Sequence, residues 1–161
     1  MTPEFMLTLL ARWVHILSAA LALGVPLYLR FVLMPALGTL DDEARSRVRD
    51  AINARWRVIV YVLIALFLAS GFWTFLGAAR WRSFDADLKF RYHLYFGVKL
   101  VIALTMFFIA SALAGRSAKL AAIRDNPKLW LTVLILLGLA IVMISGTMRF
   151  MPAPALPPAS H

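Results

Sequence analysis

Long apolar runs alternate with short charged stretches along the 161 residues, and four of the runs are long enough to cross a bilayer. A hydrocarbon core of about 30 Å needs roughly 20 apolar residues in a helix. Runs of that length predict helices near Trp13 to Val32, Val58 to Ala79, Leu94 to Ala114 and Leu129 to Met148. The expected fold class is all-α, a four-helix transmembrane bundle with up-down connectivity. The first run lacks a basic segment before it and a small-x-small cleavage motif after it, so it is expected to stay as a mature helix. No polar stretch is long enough to bury a core of its own, which predicts a single domain over residues 1–151. Beyond it, Pro152, Pro154, Pro157 and Pro158 predict an irregular tail over 152–161.

Between the first two runs, Gly38 to Trp56 carries an acidic start at Asp41, Asp42 and Glu43, followed by alternating arginine and apolar residues. Acidic residues favour the first turn of a helix, so a short amphipathic helix on the cytoplasmic side is expected here. Its polar face is either a solvated connector or a contact for anionic lipid.

Composition moves the picture from helical to membrane-embedded. The chain is 62% hydrophobic and 16% charged with a mean hydropathy of +0.80, against about 45 to 50% apolar for a soluble domain. An integral membrane protein follows. With no cysteine, disulfides, thiolate metal sites, iron-sulfur clusters and covalently attached c-type haem are excluded. The formal charge of +9 comes from lysines and arginines in short loops beside apolar runs. Membrane topology accounts for that pattern without nucleic acid. Ten basic residues flank the runs on the side of the 38–56 loop and six on the other, which predicts both termini outside a cell inner membrane. Trp73, Trp81, Tyr92 and Tyr95 would then form an outer aromatic belt.

Ionisable side chains within apolar runs are costly and mark functional sites. His15 and His93 are the histidines of this kind. A first helix that starts at Arg12 and Trp13 sets His15 at the level of His93, with Arg149, Met148 and Met151 at the same end. A start near Phe5 drops His15 by about 10 to 15 Å and separates the two. Ala19, Ala22 and Pro26 continue the stripe below His15, and Gly97 lies one turn below His93; small residues there leave room for a flat ring or serve helix packing. Imidazole is the usual proximal ligand of b-type haem. Lys99 lies deeper than His93 with no carboxylate in any run to pair with. It either snorkels or meets an exogenous anion such as a tetrapyrrole propionate, a carbonyl or a hydroxyl such as that of Tyr61.

The stretches RWVHILSAALALG (Arg12 to Gly24), RWRVIVYVLIALFLASGFW (Arg55 to Trp73) and YHLYFGVKLVIALTMFFIASALAGR (Tyr92 to Arg116) resemble the copper-resistance D (CopD) membrane domain and the HemJ-type protoporphyrinogen IX oxidases. The matching features are His15 on the first helix, Arg57 followed by a helix ending in Ser70 and Gly71, and Lys99 on the third helix. The resemblance implies haem b more directly than porphyrinogen oxidation, because the tryptophan-x-histidine-x-lysine spacing of the oxidases is not reproduced by His93 and Lys99. Three functions are therefore expected in order. The first is a b-type haem electron-transfer protein, with His15 as axial ligand, His93 as second ligand or hydrogen-bond neighbour, and Lys99 and Arg149 holding propionates. The second is oxidation of protoporphyrinogen IX, with Lys99 as the catalytic candidate. The third is a copper-handling or structural subunit, with His15, His93, Met148 and Met151 as soft ligands. A quinone or a tetrapyrrole as redox partner, and a homo-oligomer or larger membrane complex as the assembly, are the partners these readings imply.

Overall fold

The computed structural model of the chain describes residues 2–77 and 85–150. Residue 1, residues 78–84 with Ala79, Arg80, Trp81 and Arg82 among them, and Met151 with the tail 152–161 lie outside the described residues. Among the described residues the chain is all helical, without strands, and four helices are long and apolar enough to cross a membrane.

Helix α1 (Pro3–Tyr28) begins ten residues ahead of Trp13. The local sequence explains the early start: the Thr2 side chain accepts from the Phe5 amide at 3.4 Å and Pro3 needs no donor partner at the first helical position. The helix then passes into a π-helical turn over Leu29–Leu33 and a short α2 (Met34–Leu37). Pro35 lacks an N–H and its ring crowds the carbonyl four residues back, at Phe31, so the ladder widens there instead of breaking.

Helix α3 (Asp42–Gly77) runs through 36 residues. Its start is capped by Asp41, whose Oδ1 accepts from the Ala44 amide at 2.7 Å. The charged stretch after Gly38 is thus the first part of the second long helix rather than an element apart. Helix α4 (Ala86–Ala114) is capped by Asp85, which accepts from the Leu88 amide at 2.8 Å. A 3₁₀ turn over Ala118–Leu120 and α5 (Ala121–Asp125) lead into α6 (Pro127–Arg149), again with proline at the first position.

Helices α3 and α6 each pack against both α1 and α4. Their contact core is Met106 and Ile109 of α4 with Leu131 and Leu134 of α6. Small residues permit the close approaches: Leu23 Cδ1 stands 2.9 Å from where a Cβ on Gly138 would be. Only between 11% and 22% of the most apolar window of each long helix is buried inside the protein. Phe72, Val101 and Met143 are among the apolar side chains left exposed. A soluble protein would not show such a surface, and lipid is the solvent that suits it.

Two aromatic contacts fix the registry of α3 against α4. Phe75 stacks on Phe96 with ring centroids 3.9 Å apart, and Phe67 meets Phe107 edge-on at 5.4 Å. Rising residue numbers on α3 pair with falling numbers on α4, so the two helices are antiparallel. The same reasoning sets α1 antiparallel to α6, because Leu23 meets Gly138 while Arg30 Nε donates to Thr132 Oγ1 at 3.4 Å.

Candidate functional site

His15 lies on the face of α1 that packs on α3. Its Nδ1 is 3.3 Å from the Phe67 carbonyl oxygen and 3.3 Å from Ser70 Oγ. A carbonyl can only accept, so Nδ1 carries the proton in that bond and Nε2 keeps its lone pair. The Ser70 hydroxyl donates its own proton to the Leu66 carbonyl at 2.5 Å, which leaves its oxygen as a second acceptor for His15. Phe67 also covers the imidazole, with ring centroids 4.4 Å apart and planes inclined by 36°. Gly71 completes the seat: a Cβ there would stand 3.0 Å from His15 Cε1 and 3.2 Å from Nδ1. The ring is held by hydrogen bonds at one nitrogen and by close packing along one edge.

Height within the helices follows from the two aromatic rungs. Ser70 lies five residues inward of Phe75, about 7.5 Å at 1.5 Å per residue, and Lys99 lies three residues inward of Phe96, about 4.5 Å. His15 and Lys99 therefore occupy the same interval between the rungs. His93 is on the other side of the Phe96 rung, three residues outward. Its Nδ1 faces the Lys89 carbonyl at 2.8 Å and its ring meets Phe75 and Tyr92 edge-on, both at 6.0 Å.

The two histidines thus differ in height by about 12 Å, the separation expected for a first helix that starts early. Two imidazoles on one metal ion need bonds of roughly 2 Å each. By this helical rise His93 stands too far from His15 to share a metal ion with it, whether iron or copper, or to be its hydrogen-bond neighbour. The physical reason is the length of α1: twelve residues separate Pro3 from His15, which carries the imidazole well inside the span. Arg149 fares better. It lies eleven residues from Gly138, and His15 lies eight from Leu23, so their heights differ by about 4.5 Å. Met148 shares that end of α6, and Met151 lies outside the described residues.

Below His15 the stripe is closely packed. Ala19 and Ala22, with Phe67, Ala103, Phe107 and Gly138, enclose a cavity of about 30 Å³. That volume suits a water, whereas organic ligands occupy roughly 300 to 1,000 Å³. The small side chains there serve helix approach. Open space at this end lies instead at Gly97 and Gly146, where nothing stands within 4 Å of a would-be Cβ. The donor chemistry of the level, an imidazole with a free Nε2 and two cations within about a turn, fits an anionic tetrapyrrole; the room beside the alanines does not.

Arg57, noted beside Ser70 and Gly71 in the sequence, acts elsewhere. Its Nε donates to the Ala114 carbonyl at 3.2 Å and closes the C-terminus of α4. The partners of His15 that sequence inspection left unassigned are Phe67 and Ser70. Ser70 is buried within an apolar run, and a buried hydroxyl requires a partner; that requirement was the available signal.

Compared with family models, curated proteins and solved structures, the chain has no match.

Proposed function

We propose that this chain is a multi-pass inner-membrane redox protein that binds b-type haem through His15. The observation that carries the reading is the His15 hydrogen bond: a histidine that gives its Nδ1 proton to a carbonyl has its tautomer and ring orientation fixed with Nε2 available, the usual arrangement of an imidazole ligand. Lys99 and Arg149 supply positive charge near that height for the propionates. Haem, when bound, contributes a one-electron couple, and the protein contributes the ligand, its orientation and an apolar surround. The second axial position is not assigned to His93. The four helices are read as an up-down bundle with both termini outside and the amphipathic beginning of α3 at the cytoplasmic surface. A quinone in the bilayer or a larger membrane complex is the electron partner.

A second reading is favoured by Lys99. Its height, within about a turn of that of His15, would let a cation meet a tetrapyrrole carboxylate during oxidation of protoporphyrinogen IX, the activity implied by the resemblance to HemJ-type oxidases. A copper-handling role would have to draw on His15 and His93 at heights about 12 Å apart.

The deciding experiment is a visible spectrum of protein purified after haem-replete expression. A Soret band that disappears in His15→Ala, with membrane insertion intact, is the expected result. Full haem retention in that variant removes the ligand role. Rescue of a strain lacking protoporphyrinogen oxidase, lost on Lys99→Ala, would move the second reading ahead of the first.

A further inference from the structure

At the end of the helices remote from His15, a cavity of about 710 Å³ opens between all four long helices. Its walls are apolar, with Leu21 of α1, Leu63 of α3, Met106 of α4 and Leu131 of α6 among them. Its rim is basic. Arg45, Arg49, Arg124 and Lys128 line it, with Asp125 as the one carboxylate. Arg45 is committed to the turn before α3, donating to the Leu37 carbonyl at 2.9 Å and the Leu40 carbonyl at 2.7 Å and pairing with Asp42 at 2.9 Å. Arg49, Arg124 and Lys128 form no ion pair among the described residues. Arg124 Nη1 is, in addition, buried without a hydrogen-bond partner.

A buried guanidinium nitrogen without an acceptor is costly. Four helices that leave several hundred cubic ångströms open lose the packing that interiors normally have. Both defects vanish when an amphiphile fills the space with its apolar body and gives its anionic head to the rim. A neutral quinone could offer Arg124 a carbonyl acceptor but brings no negative charge to a rim that holds Arg49, Arg124 and Lys128. We propose that this cavity binds an anionic phospholipid, its phosphate on Arg49, Arg124 and Lys128 and its acyl chain between α1, α3, α4 and α6. Basic pockets between membrane helices on the side richer in lysine and arginine recognise lipid head groups in this way. The orphan N–H groups at the start of α6, which has no side-chain cap, add to the attraction for a phosphate.

The test uses the full chain in detergent, with lipid retention read by native mass spectrometry. Phosphatidylglycerol should be retained about tenfold more tightly than phosphatidylcholine of the same acyl chains, because both carry a phosphate but the choline cation of the second is repelled by the basic rim. Arg124→Gln should remove most of that preference. Lys128→Gln, at an exposed position, should remove part of it without any effect on folding. Ala110→Trp, which fills the cavity from α4, should abolish retention of both lipids while helicity is unchanged. Equal retention of the two lipids, displacement of phosphatidylglycerol by millimolar inorganic phosphate, or full retention in Ala110→Trp would each overturn the proposal. His15→Ala should leave lipid retention untouched, so the result stands apart from the haem reading.

Discussion

The two ends of the helix assembly solve opposite problems with similar residues. Around His15 an ionisable ring is packed tightly, with Gly71 under one edge, Phe67 over its face and two acceptors at Nδ1. Around Arg124 the cations are many, the space is large and one guanidinium nitrogen has no acceptor. Order at the first end is built into the chain, whereas order at the second needs something added to it. The lesson is that a membrane helix protein can place a specific group by direct contact or leave a shaped vacancy of matching charge. Close packing in such interiors is otherwise the rule.

The sharpest way to break the comparison is His15→Ala. If the tight end is a ligand site, stoichiometric haem should be lost altogether, as absorbance per purified protein will show. Lipid retention at the loose end should not change. Loss of both together would mean that the substitution acts on the whole fold and that the ends are not independent.

Next in size is Gly71→Leu. Even a single added carbon would stand about 3.0 Å from the imidazole, and overpacking of this kind costs typically 1 to 3 kcal/mol. We expect haem occupancy to fall severalfold and thermal stability to drop. Gly138→Ala is the matched control: its Cβ would meet Leu23 Cδ1, the far end of a side chain that can turn away. Little change is expected there. A Gly71→Leu protein with full haem and unchanged melting temperature would show that the seat under His15 is not tight.

Arg57→Gln tests a contact that belongs to neither end's chemistry. Loss of the bond to the Ala114 carbonyl frees a buried acceptor at the end of α4, a cost of about 1 to 3 kcal/mol. Thermal unfolding should register it while the haem spectrum and lipid retention stay as in the parent. A change in the spectrum instead would tie Arg57 to the site, as the resemblance by itself would suggest.

What was legible in the sequence differs between these regions for physical reasons. The four long apolar runs were plain because hydropathy over about 20 residues is a strong signal. Their boundaries were not. Nothing in hydropathy says that Thr2 and Pro3 open α1 so early, and between Asp42 and Ser70 there is no glycine or proline to separate the charged stretch from the apolar one. That single boundary decided whether His15 could meet His93. Lys99 stands out in the sequence as a cation inside an apolar run, but its height relative to His15 depends on the Phe75–Phe96 and Phe67–Phe107 registry, which is tertiary. The cavity near Arg124 could not be read at all, since it is formed by residues from Leu21 to Leu134. In the sequence Arg45 and Arg49 belong to a stretch readable as a solvated connector or as a contact for anionic lipid, and Arg124 reads as a loop charge.

The smallest expected effect belongs to Ser70→Ala. The hydroxyl is one of two acceptors for the His15 Nδ1 proton, and the Phe67 carbonyl remains when it is removed. The hydroxyl's bond to Leu66 returns that carbonyl to its ordinary helical partner alone, so no buried group is stranded. A net cost of about 0.5 to 1.5 kcal/mol is expected, seen as a small drop in melting temperature. Haem should still bind, with a modest loss of affinity because the ring is aligned by one acceptor instead of two. Ser70→Val, which also adds bulk beside the imidazole, should be worse than alanine. If alanine abolished haem as completely as His15→Ala, the serine would be the anchor that sets the ring and the Phe67 carbonyl a bystander. The tight end would then depend on a single side-chain contact.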